Sequence, residues 1–277
     1  MVNVNDGAAA RERRGGAGWP GVRDKRVLIT GGSRGLGEQI VRLLLAEGAY
    51  VGTCARTGRG LRTLGASLAA PVRDRLFTDA LDVTEPGRLE GFVRHGATRF
   101  GGLDGVVACV GGSQGGGFER ADAADWAATW ETNVGHTARL VRAALPHLRA
   151  AGGGSVVIVS SISGWKPGPH AQYGTAKSAQ IHLAASLARE LGPDGIRVNA
   201  VSPGSMLIPG RRWDRMRTES PKAYAAFTDA ELPGGAPVEP QEVARAVVFL
   251  LSDWSSGISG ANLPVDRAQN APTPYGY

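Results

Sequence analysis

Val27-Leu28-Ile29-Thr30-Gly31-Gly32-Ser33-Arg34-Gly35-Leu36-Gly37 decides how the rest of this 277-residue chain is read. Its first four residues are a short apolar run ended by a glycine pair, the pattern of a buried strand. From Gly37 to Glu47, Ile40, Val41, Leu44 and Leu45 recur at helical spacing, and Gly48 closes the run. Glycines at such a strand-to-helix turn let the backbone approach a pyrophosphate. The helix N-terminus adds free N–H groups and a positive dipole end. The spacing G-x-x-x-G-x-G differs from the commoner G-x-G-x-x-G. Its place between an apolar strand and an amphipathic helix still favours a phosphate cradle over an ordinary turn. Gly31, Ser33, Arg34, Gly35, Leu36 and Gly37 are the candidate cradle.

Working outward, the alternation continues. Strands are expected at Ala49–Ala55, Leu76–Asp82, Gly105–Val110, Ser155–Ser160, Ile196–Val201 and Asn262–Val265. Helices are expected at Ala123–Leu148, Ala171–Leu191 and Glu239–Ser252, the last with Pro240 at its second residue. Strands alternating with helices imply an α/β fold: a doubly wound parallel sheet of about seven strands in a single domain. The run Ser155–Ser160 shows no alternation, as a strand buried on both faces requires. Residues 1–24, rich in Gly, Ala and Arg and without an apolar core, are expected to be a disordered extension rather than a secretory signal. Residues 25–268 form the domain. A segment near 205–237, rich in Arg, Pro and aromatics, breaks the rhythm and reads as a lid over the strand ends, and 269–277 reads as a tail.

Composition narrows the function classes. Hydrophobic residues make up 42% of the chain, and no apolar run reaches membrane-spanning length. The net charge is +6, but the basic residues are scattered and lack an aromatic-rich stripe, so nucleic acid is not the expected partner. A local positive excess suits an anionic cofactor. Cys54 and Cys109 have neither metal spacing nor a CxxC pairing and read as buried thiols in a reducing cytoplasm. The five histidines form no HxxxH or HxH cluster, so no metal site is expected.

The chemistry-bearing stretch runs from Ser160-Ser161 through a Pro/Gly loop to Tyr173 and Lys177. A Tyr and a Lys four apart share one helix face. An ammonium beside a phenol stabilises the phenolate and makes it a usable acid–base group. The second expected strand ends Thr53-Cys54-Ala55-Arg56. An acidic residue at such a position binds a ribose 2′-hydroxyl; here Arg56 follows instead, which suits a 2′-phosphate, and Arg34 can assist bidentately. Together they favour NADP(H) over NAD(H).

With these motifs in order, residues 24–266 resemble the short-chain dehydrogenase/reductase family, which implies a Rossmann-like fold. Thr30, Gly31, Gly35 and Gly37 match the family's cofactor loop. Asp82-Val83 resembles its adenine-contacting pair, and Val110-Gly111 its turn after the fourth strand. Asn133, Ser161, Tyr173 and Lys177 match its active-site residues, and Pro203-Gly204 the segment that meets the nicotinamide. The resemblance implies that Tyr173 exchanges a proton with the substrate oxygen. Lys177 would lower the phenol's pKa and bind the nicotinamide ribose, and Ser161 would hold the oxygen. Asn133 would hold a water linking Lys177 to solvent. Counting back from Tyr173 at the commoner spacing selects Ser160; the Ser-x-x-Gly match selects Ser161, which is the choice made. Ser113, Trp165, His170, Met206 and Trp213 are expected around the substrate. The implied activity is an NADP(H)-dependent interconversion of a ketone or aldehyde and an alcohol on a hydrophobic or cyclic small molecule. The alternative is a silent binding or scaffold protein on the same fold. A homotetramer or homodimer in the cytoplasm is implied.

Overall fold

The computed structural model describes residues 21–168 and 170–270. Seven strands form one parallel sheet: β1 (Arg26–Thr30), β2 (Tyr50–Ala55), β3 (Leu76–Ala80), β4 (Gly105–Ala108), β5 (Gly154–Val159), β6 (Ile196–Pro203) and β7 (Asn262–Val265). Their order is β3-β2-β1-β4-β5-β6-β7. The order reverses between β1 and β4, so a crevice opens beyond their C-terminal ends, where such sheets bind ligands. Register places Ile29 opposite both Thr53 and Val107.

The strands are buried on both faces, which is why they read as unbroken apolar runs. Val27 and Ile29 pack in one core with Val107, Val157 and Val159. Leu28 joins the other with Val106, Val156 and Ile158. The first core is roofed by α1 (Gly35–Ala46) and, late in the chain, by the helix Pro240–Leu251; the second is covered by Arg88–Phe100, His136–Ala150 and Ala171–Leu191.

In chain order these and the remaining helices are α2 (Gly58–Ala66), α3 (Ala70–Arg73), α4 (Arg88–Phe100), α5 (Ala123–Trp130), α6 (His136–Ala150), α7 (Ala171–Leu191), α8 (Arg212–Glu219), α9 (Pro221–Glu231) and α10 (Pro240–Leu251). The sequence reading assigns nothing to α2, α3 and α4. In α2 three glycines hide the Leu61–Leu64 stripe, whereas α4 carries Leu89, Phe92, Val93 and Ala97 at plain helical spacing. Pro240 is the first residue of α10, not the second.

One expected helix, Ala123–Leu148, is interrupted. Between α5 and α6 lies a wide turn, Glu131–Gly135, whose closing bond runs from His136 N–H to the Glu131 carbonyl. Such π turns spend one extra residue and re-aim the side chains within them.

Residues 1–20 and 271–277, most of the expected extension and tail, lie outside the described residues. Both expected boundaries shift. Val22 is 1% exposed, in the first core, and Asp24 N–H donates to Gly48 O at 2.9 Å. At the other end, Gln269 Oε1 accepts from Ser205 N–H at 2.7 Å. The packed chain therefore includes residues 22 and 269. No helix among the described residues is long and apolar enough to cross a membrane.

Candidate active site

The crevice at the switch point is a cavity of about 840 Å³, lined by the glycine loop and by the ends of β1, β2, β4, β5 and β6. Gly31, Ser33, Arg34, Gly35, Leu36 and Gly37 all line it, with Arg56, Asp82, Val83, Val110, Gly111, Pro203 and Gly204. The loop is tight by construction: a Cβ on Gly37 would sit 2.3 Å from the Gly31 carbonyl oxygen. Thr30 Oγ1 accepts from Cys109 N–H at 3.0 Å and Val110 N–H at 3.3 Å, lacing β1 to the turn after β4. The turn Ala108-Cys109-Val110-Gly111 carries no amide or hydroxyl side chain, and the Thr30 hydroxyl supplies the tie between the strands.

At the glycine-loop end, burial raises the Asp82 carboxyl, but the Thr84 N–H (2.9 Å) and hydroxyl (2.7 Å), with the charge of Arg56, hold it below its ordinary value. Arg34, Arg56 and, from the start of the 205–237 segment, Arg211 line the same cavity. The ion pairs formed among the described residues involve none of the three. Arg211 feels the positive field of Arg34 and Arg56, and burial together with that field lowers its pKa. Three guanidiniums outside close ion pairs, against the carboxylate of Asp82, make an anion-binding surface. No acidic side chain ends β2.

At the other end, the segment just after β5 delivers Ser160 and Ser161, and the first two turns of α7 deliver Tyr173 and Lys177. The two serines part company. Ser160 is buried and donates from Oγ to the Lys177 carbonyl at 2.8 Å. Ser161 caps the turn that follows, accepting from Ser163 N–H at 3.1 Å, and hydrogen-bonds the Tyr173 side chain. Both serines line the cavity, but the Ser160 hydroxyl is spent on a main-chain carbonyl and the Ser161 hydroxyl is the one beside the phenol.

Lys177 is 2% exposed, and its Nζ lies 5.5 Å from the Tyr173 ring centroid. Burial pushes its pKa down to about 8, with Cys109 pulling the other way. Burial raises Tyr173 above its ordinary value, and only the Ser161 hydroxyl opposes it. Desolvation outweighs that hydrogen bond, and the phenol keeps its proton at neutral pH.

Asn133 sits inside the π turn. Its Nδ2 donates to Gly112 O and Thr129 O, both at 2.7 Å, and Oδ1 accepts from Gly112 N–H at 3.3 Å. Its main-chain carbonyl accepts from Thr137 Oγ1 at 2.6 Å and Gln180 Nε2 at 2.9 Å. Both lone pairs of that carbonyl and both amide N–H donors are engaged by protein groups. Gly111 allows the close packing here: a Cβ would lie 2.8 Å from Asn133 Oδ1 and 2.9 Å from Lys177 Nζ.

Of the expected substrate residues, Ser113 and Met206 line the cavity; Trp165, His170 and Trp213 do not. Trp165 faces a shallow depression with Ile181 and His182, and its Nε1 donates to Asn270 at 2.7 Å. Trp213 stacks on Phe227 with centroids 4.0 Å apart, inside its own helical pair. Proximity to Ser161 in sequence does not bring Trp165 to the cavity, because the loop turns away after Gly164. Gln114, Glu131 and Ile208 also line the cavity. Gln180, which touches Lys177, was legible as a polar residue three positions after Lys177. Among the described residues no group of three His, Cys, Asp or Glu could hold a metal.

Comparison with known proteins agrees with this geometry. A family model described as enoyl-(acyl carrier protein) reductase matches residues 31–267. Isoepoxydon dehydrogenase patN of Penicillium expansum is 33% identical, over 92% of this chain and 98% of its own length. Trans-4-hydroxycyclohexanecarboxylate dehydrogenase of Sinomonas cyclohexanicum is 33% identical, over 90% and 94%. Among solved structures, L-sorbose reductase from Gluconobacter frateurii complexed with NADPH and L-sorbose superposes with a TM-score of 0.85 at 29% identity, covering 91% of this chain and 99% of that one.

Proposed function

The chain belongs to the short-chain dehydrogenase/reductase family, and from that premise we propose that it interconverts a ketone or aldehyde and an alcohol on a hydrophobic or cyclic small molecule, using NADP(H). The observation that carries this reading is one cavity with Ser161, Tyr173 and Lys177 at one end and Arg34, Arg56 and Arg211 at the other. The glycine cradle, closed to any side chain at Gly37, fits a pyrophosphate. Arg34 and Arg56 bind the 2′-phosphate, and Arg211 brings the lid segment to the same charge. The cyclohexane ring in the name of one relative supports the cyclic class.

Bound there, the nicotinamide supplies hydride. Ser161 holds the substrate oxygen by its hydroxyl. Tyr173 passes its phenolic proton to that oxygen during reduction and takes it back during oxidation. Lys177 stabilises the phenolate left behind and binds the nicotinamide ribose. Met206 and Ile208, at the start of the lid, help to exclude water. A cytoplasmic homotetramer or homodimer accompanies this reading, and light scattering on purified protein tests the assembly.

A panel of cyclic and aliphatic ketones, followed by NADPH and NADH consumption, tests the activity. Arg56→Ala is expected to weaken NADPH about tenfold or more and leave NADH unchanged. Equal NADPH affinity in the variant overturns the 2′-phosphate assignment. NADPH binding without turnover of any carbonyl favours the silent binding protein instead.

A further inference from the structure

Gln180 is 0% exposed, three residues beyond Lys177 on α7. A primary amide buried this completely has two donors and an acceptor to satisfy. Here all are used. Oε1 accepts from Lys177 Nζ at 2.8 Å, and Nε2 donates to Asn133 O at 2.9 Å and Thr137 Oγ1 at 3.0 Å. Lys177 Nζ also donates to Val159 O at 3.0 Å, so two of its three N–H groups are fixed by protein and the third is left for the cavity it lines. The amide thus spans from the ammonium to the π turn and fills the second lone pair of the Asn133 carbonyl.

We infer that Gln180 is a positioning residue for the Lys177 ammonium, a dry amide strut that fixes the cation beside Tyr173 and donates to the carbonyl of Asn133. The inference rests on the proposed role of Lys177, but its test needs no substrate.

The chain holds four lysines, Lys25, Lys166, Lys177 and Lys222. Selective ¹³Cε-lysine labelling of the intact protein therefore gives four resonances, and Lys177→Arg identifies the one to follow. The titratable groups facing Lys177 are Cys109, pushed up to about 12 by burial, His136, pushed down to about 3 by burial, and Tyr173, raised by burial. Cys109 and His136 therefore stay neutral through the range in which Lys177 titrates.

Gln180→Leu removes the acceptor and is expected to lower the Lys177 midpoint by about one pH unit, a tenfold loss of proton affinity. Gln180→Glu keeps the shape, adds an opposite charge and is expected to raise it by at least as much. Midpoints within a few tenths of wild type in both overturn the inference. If Gln180→Leu does not fold, Gln180→Glu decides alone, and an unmoved midpoint there overturns it. A shifted midpoint in protein that reduces no carbonyl leaves the strut standing and sinks the proposed activity instead.

Discussion

Tyr173 and Lys177 show how burial sets a proton donor. The phenol is raised and the ammonium lowered, each by loss of water, and the two are linked through the cavity rather than by a direct ion pair. Tyr173 is only part-buried, so its shift is the softer of the two. At neutral pH the phenol keeps the proton that reduction consumes. Tyr173→Phe is expected to cut kcat by roughly 10²–10⁴-fold while leaving NADPH affinity within about threefold, because only the proton donor is removed; steady-state kinetics and NADPH fluorescence titration measure the two. A kcat within twofold of wild type would put the proton on another group. The spacing of Tyr173 and Lys177 was legible in the sequence because it is local to one helix. The choice between Ser160 and Ser161 turns on their partners, the Lys177 carbonyl for Ser160 and the Tyr173 side chain for Ser161.

At the scale of elements, the π turn Glu131–Gly135 matters most. Periodicity reads α5 and α6 as one helix, because a single extra residue hardly disturbs an apolar stripe over so many turns. The signal for the break is a side chain competing with the backbone: Asn133 captures the Thr129 carbonyl that an α-helix would have used. The turn, the Gly111 backbone and Lys177 meet with no room to spare. Gly111→Ala is expected to displace Asn133 or Lys177, costing about 1–3 kcal/mol of stability and lowering kcat in parallel. Denaturant melts and kinetics on one preparation check both. Unchanged values would mean that the turn can relax without disturbing the site. The 205–237 segment teaches the opposite lesson. Its aromatics suggested a pocket, yet Trp213 spends its ring on Phe227, because two short helices with little else to bury close on each other.

Across the whole molecule, stability and function share one buried polar seam running from Thr30 through His136 to Lys177. His136 is fully buried, 3.5 Å from Thr30 Oγ1, and burial with the nearby Lys177 charge pushes its pKa down to about 3. Its folded pKa lies below the unfolded one, so the unfolded chain binds the extra proton. The stability from neutral His136 is complete above about pH 6.5 and is lost as pH falls towards 3, at up to roughly 1.4 kcal/mol per pH unit. His136→Gln is expected to flatten the acid side of the stability curve by that slope, measured as urea midpoints across the window; parallel curves would place the acid sensitivity on the carboxylates.

The sequence by itself determined the alternation of strand and helix, the glycine cradle, the missing acid after β2 and the Tyr173–Lys177 pair. Each of these is written in neighbouring residues, through backbone conformation and periodicity. Only the tertiary structure decided which serine faces the phenol, that Trp165, His170 and Trp213 stand away from the cavity, and that Gln180 braces Lys177 against Asn133. It also decided that burial raises Tyr173. These depend on which surfaces lose water when distant segments meet, and desolvation belongs to the packed molecule rather than to any stretch of its chain.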